Sequence, residues 1–144
     1  MVYQIIQYAG CEVIGLALTI ASGNQPEQIM NLWQNFMANN VATTIEEKID
    51  NSLVGLYTDY TGDHTNQMTV VIGAPVKNRE NIPSGLVHKT IPAGKYALFT
   101  ASSPEEVGKV WHAIWSMNLP RTFIADFELY KMDGSLIEIY VGIQ

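Results

Sequence analysis

The sequence predicts an α+β fold, a duplicated β-α-β-β unit with pseudo-twofold symmetry, antiparallel sheets, two main helices and a central ligand groove. Three observations predict it. The segment Pro26-Glu27-Gln28-Ile29-Met30-Asn31-Leu32-Trp33 aligns with Pro104-Glu105-Glu106-Val107-Gly108-Lys109-Val110-Trp111, with Pro, Glu, aliphatics and Trp coinciding at one constant offset. Each of these segments is preceded by a strand-like run and followed by a hairpin-like pair of runs. The hairpins end alike, Val71-Ile72-Gly73 and Tyr140-Val141-Gly142. A repeat longer than any solenoid unit argues for one duplication, with residues 1–80 and 81–144 as the halves of a single domain.

The elements follow in order. Tyr3 to Ile20 is rich in Ile, Val, Tyr and Leu and reads as one extended strand, bent or bulged at Gly10 or Gly15. Ser22-Gly23-Asn24-Gln25-Pro26 is a turn that hands over to a helix, since Pro suits a first helical turn. Ile29, Leu32, Trp33, Phe36 and Met37 recur at three- and four-residue spacing, the stripe of an amphipathic helix. A polar connection from Asn39 to Asp50 holds a short helical turn around Thr44 to Lys48. Leu53 to Tyr60 and Met68 to Val76 are strands across a loop, Thr61 to Asn66, built of turn formers.

Lys77 to Gly85 reads as the linker between halves. Val87 to Thr100 is a strand interrupted by Pro92-Ala93-Gly94. Ser102-Ser103-Pro104-Glu105-Glu106 starts the second helix, with a Ser cap and acids at the positive end of the dipole. Its stripe is Val107, Val110, Trp111, Ile114 and Trp115. The last two strands, Thr122 to Met132 and Ser135 to Ile143, flank Asp133-Gly134, a strong hairpin signal.

Composition narrows the function. The chain has 144 residues, a net charge of −6 and only eight basic side chains, so direct nucleic-acid binding is not expected. One cysteine, Cys11, excludes an internal disulfide and reads as a structural thiol. Without a basic n-region or a long apolar run, a cytoplasmic protein with no membrane segment is expected. His64, His88 and His112 are widely spaced, so no metal is assigned, and no cofactor fingerprint or catalytic residue is recognised.

The last hairpin carries the chemistry. A turn at Asp133-Gly134 sets Phe127 opposite Tyr140, Glu128 opposite Ile139 and Leu129 opposite Glu138. Glu128 then shares a face with Tyr130, Ile137 and Ile139, and Glu138 shares the other with Phe127, Leu129 and Tyr140. A carboxylate in such apolar company must be paired, hydrogen-bonded or protonated. Either acid can await a cationic ligand, or pair with Lys131, Lys95 or Arg121. Tyr57, Tyr60, Tyr96, Trp111, Trp115 and Tyr140 are candidates to line a groove, because aromatic faces attract organic cations. Core packing is the other reading, above all for Trp111, which lies on the helix stripe.

Five motifs in one order carry a resemblance. They are Tyr57-Thr58-Asp59-Tyr60 with Gly62-Asp63, Ile91 to Ala97, Val110-Trp111 with Ile114-Trp115, Asp126-Phe127-Glu128 with Tyr130, and Ile137 to Val141. Together they resemble GyrI-like effector-binding domains, the ligand-binding domains of bacterial multidrug-sensing regulators, and are similar to stand-alone, integron-associated members. The resemblance implies an aromatic groove with a buried glutamate that pairs with a hydrophobic, drug-like cation, Glu128 before Glu138. With no helix-turn-helix ahead of the first strand, a role in transcription is expected to need a regulatory protein partner. Two alternatives come with the family: a hydrolase using a pocket Glu and Tyr, and a gyrase-interacting module. A SOUL-type haem binder shares the architecture, but no histidine sits in a recognisable motif for it.

Overall fold

The computed structural model describes residues 2–21, 25–63 and 65–144, so the Ser22–Asn24 turn and His64 lie outside the described residues. Strands β1 (Gln4–Tyr8) and β2 (Cys11–Ile20) lead into helix α1 (Gln25–Ala38), and a 3-10 turn (Val41–Thr44) leads into β3 (Leu53–Thr58) and β4 (Met68–Val76). The second half repeats the plan with β5 (Val87–Ile91), β6 (Gly94–Ala101), α2 (Pro104–Ser116), β7 (Arg121–Tyr130) and β8 (Ile137–Ile143).

The strands order as β1-β6-β8-β7-β3-β4-β2-β5, all antiparallel. Exchanging each strand of one half for its counterpart in the other reads that order backwards. The pseudo-twofold therefore passes between β3 and β7.

The predicted first strand is divided at Ala9-Gly10, where Gly10 takes φ +92, a value that L side chains rarely adopt. Its pairing is nonetheless continuous. Gln4 faces Leu98 and Tyr8 faces Gly94; beyond the bend, Cys11 faces Ile91 and Gly15 faces Val87 in the same register. Pro92-Ala93 divides the partner at the matching place, as the sequence suggested. Thus β1–β2 and β5–β6 are two long bent strands zipped together, and their pairing closes the sheet into a barrel.

Closure gives the sheet an inside and an outside. Val13, Val54, Leu56, Val71, Ile91 and Phe127 fill the inside. Both helices cover the outside. Leu32 and Phe36 of α1 pack on Ile20, Leu53, Val70 and Ile72. Val107, Val110 and Ile114 of α2 pack on Phe99, Ile139 and Val141. Each large side chain buried this way is worth about 1.5–3 kcal/mol.

Local expectations differ from the structure in a few places. The short helical turn lies at Val41–Thr44, ahead of its expected position, because Lys48 is drawn into a bridge with Val76. The last strands stop at Tyr130 and resume at Ile137, where Asp133 accepts the Ser135 N–H and rounds a wider loop. Met37 and Trp115, at the edges of their stripes, are exposed, and the Cys11 thiol is half-buried.

Candidate functional site

The site forms where the pseudo-twofold meets the helix-covered face. β3 and β7 lie side by side there, with Leu53 opposite Tyr130, Gly55 opposite Glu128 and Tyr57 opposite Asp126. Alternation turns all six toward the seam between α1 and α2. Ile72 faces Gly55, and its counterpart Val141 faces Asp126. Gly55 and Asp126 are therefore equivalent positions, and so are Tyr57 and Glu128. One half carries the acids and the other carries a phenol and no side chain at all.

Glu128 is 2% exposed. Its Oε2 accepts hydrogen bonds from the Tyr57 hydroxyl at 2.8 Å and the Trp111 indole N–H at 2.7 Å. Its Oε1 accepts one from the Tyr130 hydroxyl at 2.6 Å. Burial pushes its pKa up, while the bonds from Tyr130, Trp111 and Tyr57 work against that rise. The phenols of Tyr57 and Tyr130 are raised in turn, first by burial and then by the neighbouring carboxylate. Among the described residues no cationic side chain forms an ion pair with Glu128.

Its neighbour Asp126 is treated differently. Asp126 is fully buried, and its Oδ2 takes the Arg121 guanidinium at 2.8 Å and the Tyr60 hydroxyl. Its Oδ1 accepts the Gly142 N–H at 2.9 Å. Arg121 reaches it across a bulge in β7 and lies over the Phe123 ring at 4.3 Å. Two acids sit two residues apart on one strand face, and only one has its counter-charge built in.

Of the residues singled out in the sequence, Glu128, Tyr57 and Trp111 meet directly, and Tyr60 stands one step away through Asp126. Tyr57 and Trp111 pack edge to face at 5.6 Å. Trp115 is 42% exposed and sits edge to face with His112, outside this cluster. Tyr96 and Tyr140 face the barrel interior, where Tyr140 stacks on Phe127 at 4.3 Å and Tyr96 donates to the Pro92 carbonyl. Burial there pushes the Tyr96 phenol up to about 12. Glu138 lies on that same face, accepts the Tyr140 hydroxyl and pairs with Lys131 at 3.4 Å. Of the three candidate counter-ions, Arg121 is thus committed to Asp126 and Lys131 to Glu138, while Lys95 is exposed.

Sequence reasoning left out Trp33, Tyr130, Gly55 and the Asp126–Arg121 pair as site residues. Trp33 stands edge to face on Tyr130 at 5.0 Å, and Tyr130 in turn donates to Glu128. Two signals pointed to them: the alignment of Trp33 with Trp111, and the alternation that puts Tyr130 on the face of Glu128. Two cavities, of about 230 Å³ beside Asp50 and Lys131 and about 120 Å³ beside Pro92 and Gly142, are not lined by Glu128. Among the described residues no cluster of potential metal ligands occurs, and no helix is long and apolar enough to cross a membrane.

Comparison with known proteins gives the family and the fold. Residues 4–143 match the family model described as integron-associated effector binding protein. A putative transcriptional regulator of Bacillus subtilis (strain 168), YobU, is 25% identical over 131 residues, covering 83% of this chain and 82% of that protein. An integron cassette protein from the mobile metagenome of Vibrio cholerae has a similar structure, with TM-score 0.79, 28% identity and coverage of 99% and 95%. SAV2435, solved bound to tetraphenylphosphonium, superposes with TM-score 0.78 at 22% identity, covering 100% of this chain and 94% of that one.

Proposed function

We propose that this chain, which belongs to the integron-associated effector binding protein family, binds hydrophobic organic cations at Glu128. Small-molecule binding goes with the family; the buried carboxylate supports the choice of a cation. Glu128 is sealed from water and held by three neutral donors, while the adjacent Asp126 has its own arginine. A buried carboxylate without a counter-charge is costly, and a ligand that brings the charge relieves that cost. The rings of Tyr57, Trp111, Trp33 and Tyr130 supply apolar contact and cation–π attraction of roughly 0.5–2 kcal/mol each. That SAV2435 was solved with tetraphenylphosphonium suits this reading. The role we assign is a sensor domain that reports such compounds through a regulatory protein partner.

Quenching of tryptophan fluorescence tests it, since Trp111 donates to the carboxylate and Trp33 packs on Tyr130, another of its donors. Tetraphenylphosphonium should quench saturably and a neutral tetraphenyl analogue should not. Glu128→Gln should weaken the cation by more than about tenfold, as expected for removing one partner of a desolvated charge pair. Glu128→Gln that binds tetraphenylphosphonium as tightly as wild type sinks the proposal. The hydrolase alternative draws on the same carboxyl and its phenols, and turnover of an electrophilic substrate that Glu128→Gln abolishes is its signature.

A further inference from the structure

The strand glycines are not alike. Gly15 and Gly73 face each other across β2·β4, and a Cβ on either falls 2.2 or 2.1 Å from a carbonyl oxygen of the other strand, so close packing dictates glycine there. Gly142 is also tight, with the Ala125 carbonyl oxygen 2.8 Å from a Cβ. Gly55 is different. Its φ is not left-handed, and a Cβ meets only side-chain atoms: Trp33 Cζ2 at 3.3 Å, Glu128 Oε1 at 3.4 Å and Ile72 Cδ1 at 3.6 Å. Backbone conformation does not call for glycine at this position, and what crowds a Cβ is one side-chain edge, that of Trp33. Yet it lies in a fully buried central strand, where glycine weakens the strand and often marks close approach of a ligand. Its symmetry counterpart, Asp126, carries a side chain.

We propose that Gly55 is a specificity-determining residue of the cation site, its missing side chain leaving room for an aryl edge of the cation beside Glu128 Oε1. This rests on the reading of Glu128 given above. An atom where the Cβ is missing stands 3.4 Å from Glu128 Oε1 and 3.3 Å from the Trp33 edge. The ligand reaches that place when Trp33 swings off Tyr130. The space suits a flat aryl edge that can descend onto the strand, and an added methyl group occupies it.

The experiment is a tetraphenylphosphonium titration of wild type, Gly55→Ala and Glu128→Gln, with thermal unfolding of each unliganded protein. Gly55→Ala should unfold close to the wild-type temperature, because the Trp33 edge has to give by only a few tenths of an ångström, and should bind about tenfold or more weakly, the scale on which overpacking a fitted site acts. A second measurement needs no variant: the Gly55 Hα resonances of wild type should shift upfield under the ligand's aryl rings. Gly55→Ala that binds as wild type while Glu128→Gln does not overturns this proposal alone. Gly55 Hα resonances unmoved at saturation do the same. A wild type that binds no cation overturns this proposal and the cation reading together.

Discussion

At the scale of single residues, Glu128 sets a pH dependence whose sign follows from its surroundings. Burial raises its folded pKa above the value near 4.3 that an unfolded chain gives a glutamate. The folded protein therefore keeps a proton that the unfolded chain releases. The stability from this group is complete below pH 4.3 or so and is lost as pH rises through the raised value. Glu128→Gln removes the penalty without orphaning a donor. The amide oxygen can still accept Tyr57 and Trp111, and the NH₂ can donate to the Tyr130 oxygen. At pH 8 the variant should unfold at a higher temperature than wild type, and the gap should shrink as pH falls toward 5. A variant less stable than wild type at pH 8 contradicts this account. The same proton competes with a cation, so tetraphenylphosphonium affinity should fall as the carboxyl protonates, which titrations across pH 5 to 8 read directly.

At the scale of elements, the bend at Gly10 holds the barrel shut. Its φ of +92 and the approach of Ala93 N and Ile91 O, each 3.2 Å from a Cβ, leave a side chain both strained and crowded. Gly10→Ala should cost about 1–3 kcal/mol, read from urea unfolding, with a ligand site that still binds once folded. This bend also shows what was legible. Glycine and β-forming residues located the break, and alternation about Asp133-Gly134 gave the β7·β8 register of Phe127–Tyr140, Glu128–Ile139 and Leu129–Glu138. That register puts Glu128 and Glu138 on opposite faces, and the packing of α2 on Ile139 and Val141 decides that Glu128 faces the helices. The β1·β6 pairing carries no local mark in the sequence, because it is made over a span of some ninety residues, and with it the barrel stayed hidden. The cover of Trp33 on Tyr130 was equally invisible: the helix stripe names Trp33 as inward-facing but not the strand residue it meets. The division of the aromatics between two faces of the sheet decided where Tyr96 and Tyr140 went, and only closure of the barrel makes the second face an interior.

At the scale of the whole molecule, the order of strands makes the two halves dependent on each other. β1 of the first half is paired with β6 of the second, and β5 of the second with β2 of the first. At the axis β3 and β7 share a ladder whose six helix-facing residues are the site. Separating the halves in the polar stretch around residue 80 unpairs all three ladders at once. It exposes the edges of β2, β3, β6 and β7, opens the barrel interior, and leaves Glu128 without Tyr57. Long unpaired apolar edges of this kind favour pairing with another chain. Residues 1–80 alone should therefore lack cooperative thermal unfolding, as should residues 81–144. Mixed at equal concentration, the two fragments should recover a single cooperative transition together with tetraphenylphosphonium quenching. Circular dichroism and the quenching titration measure both. Cooperative folding of residues 1–80 by themselves would show that the exchanged strands and the axis ladder are dispensable, and the site would then be an accident of association and not what binds the two halves into one domain.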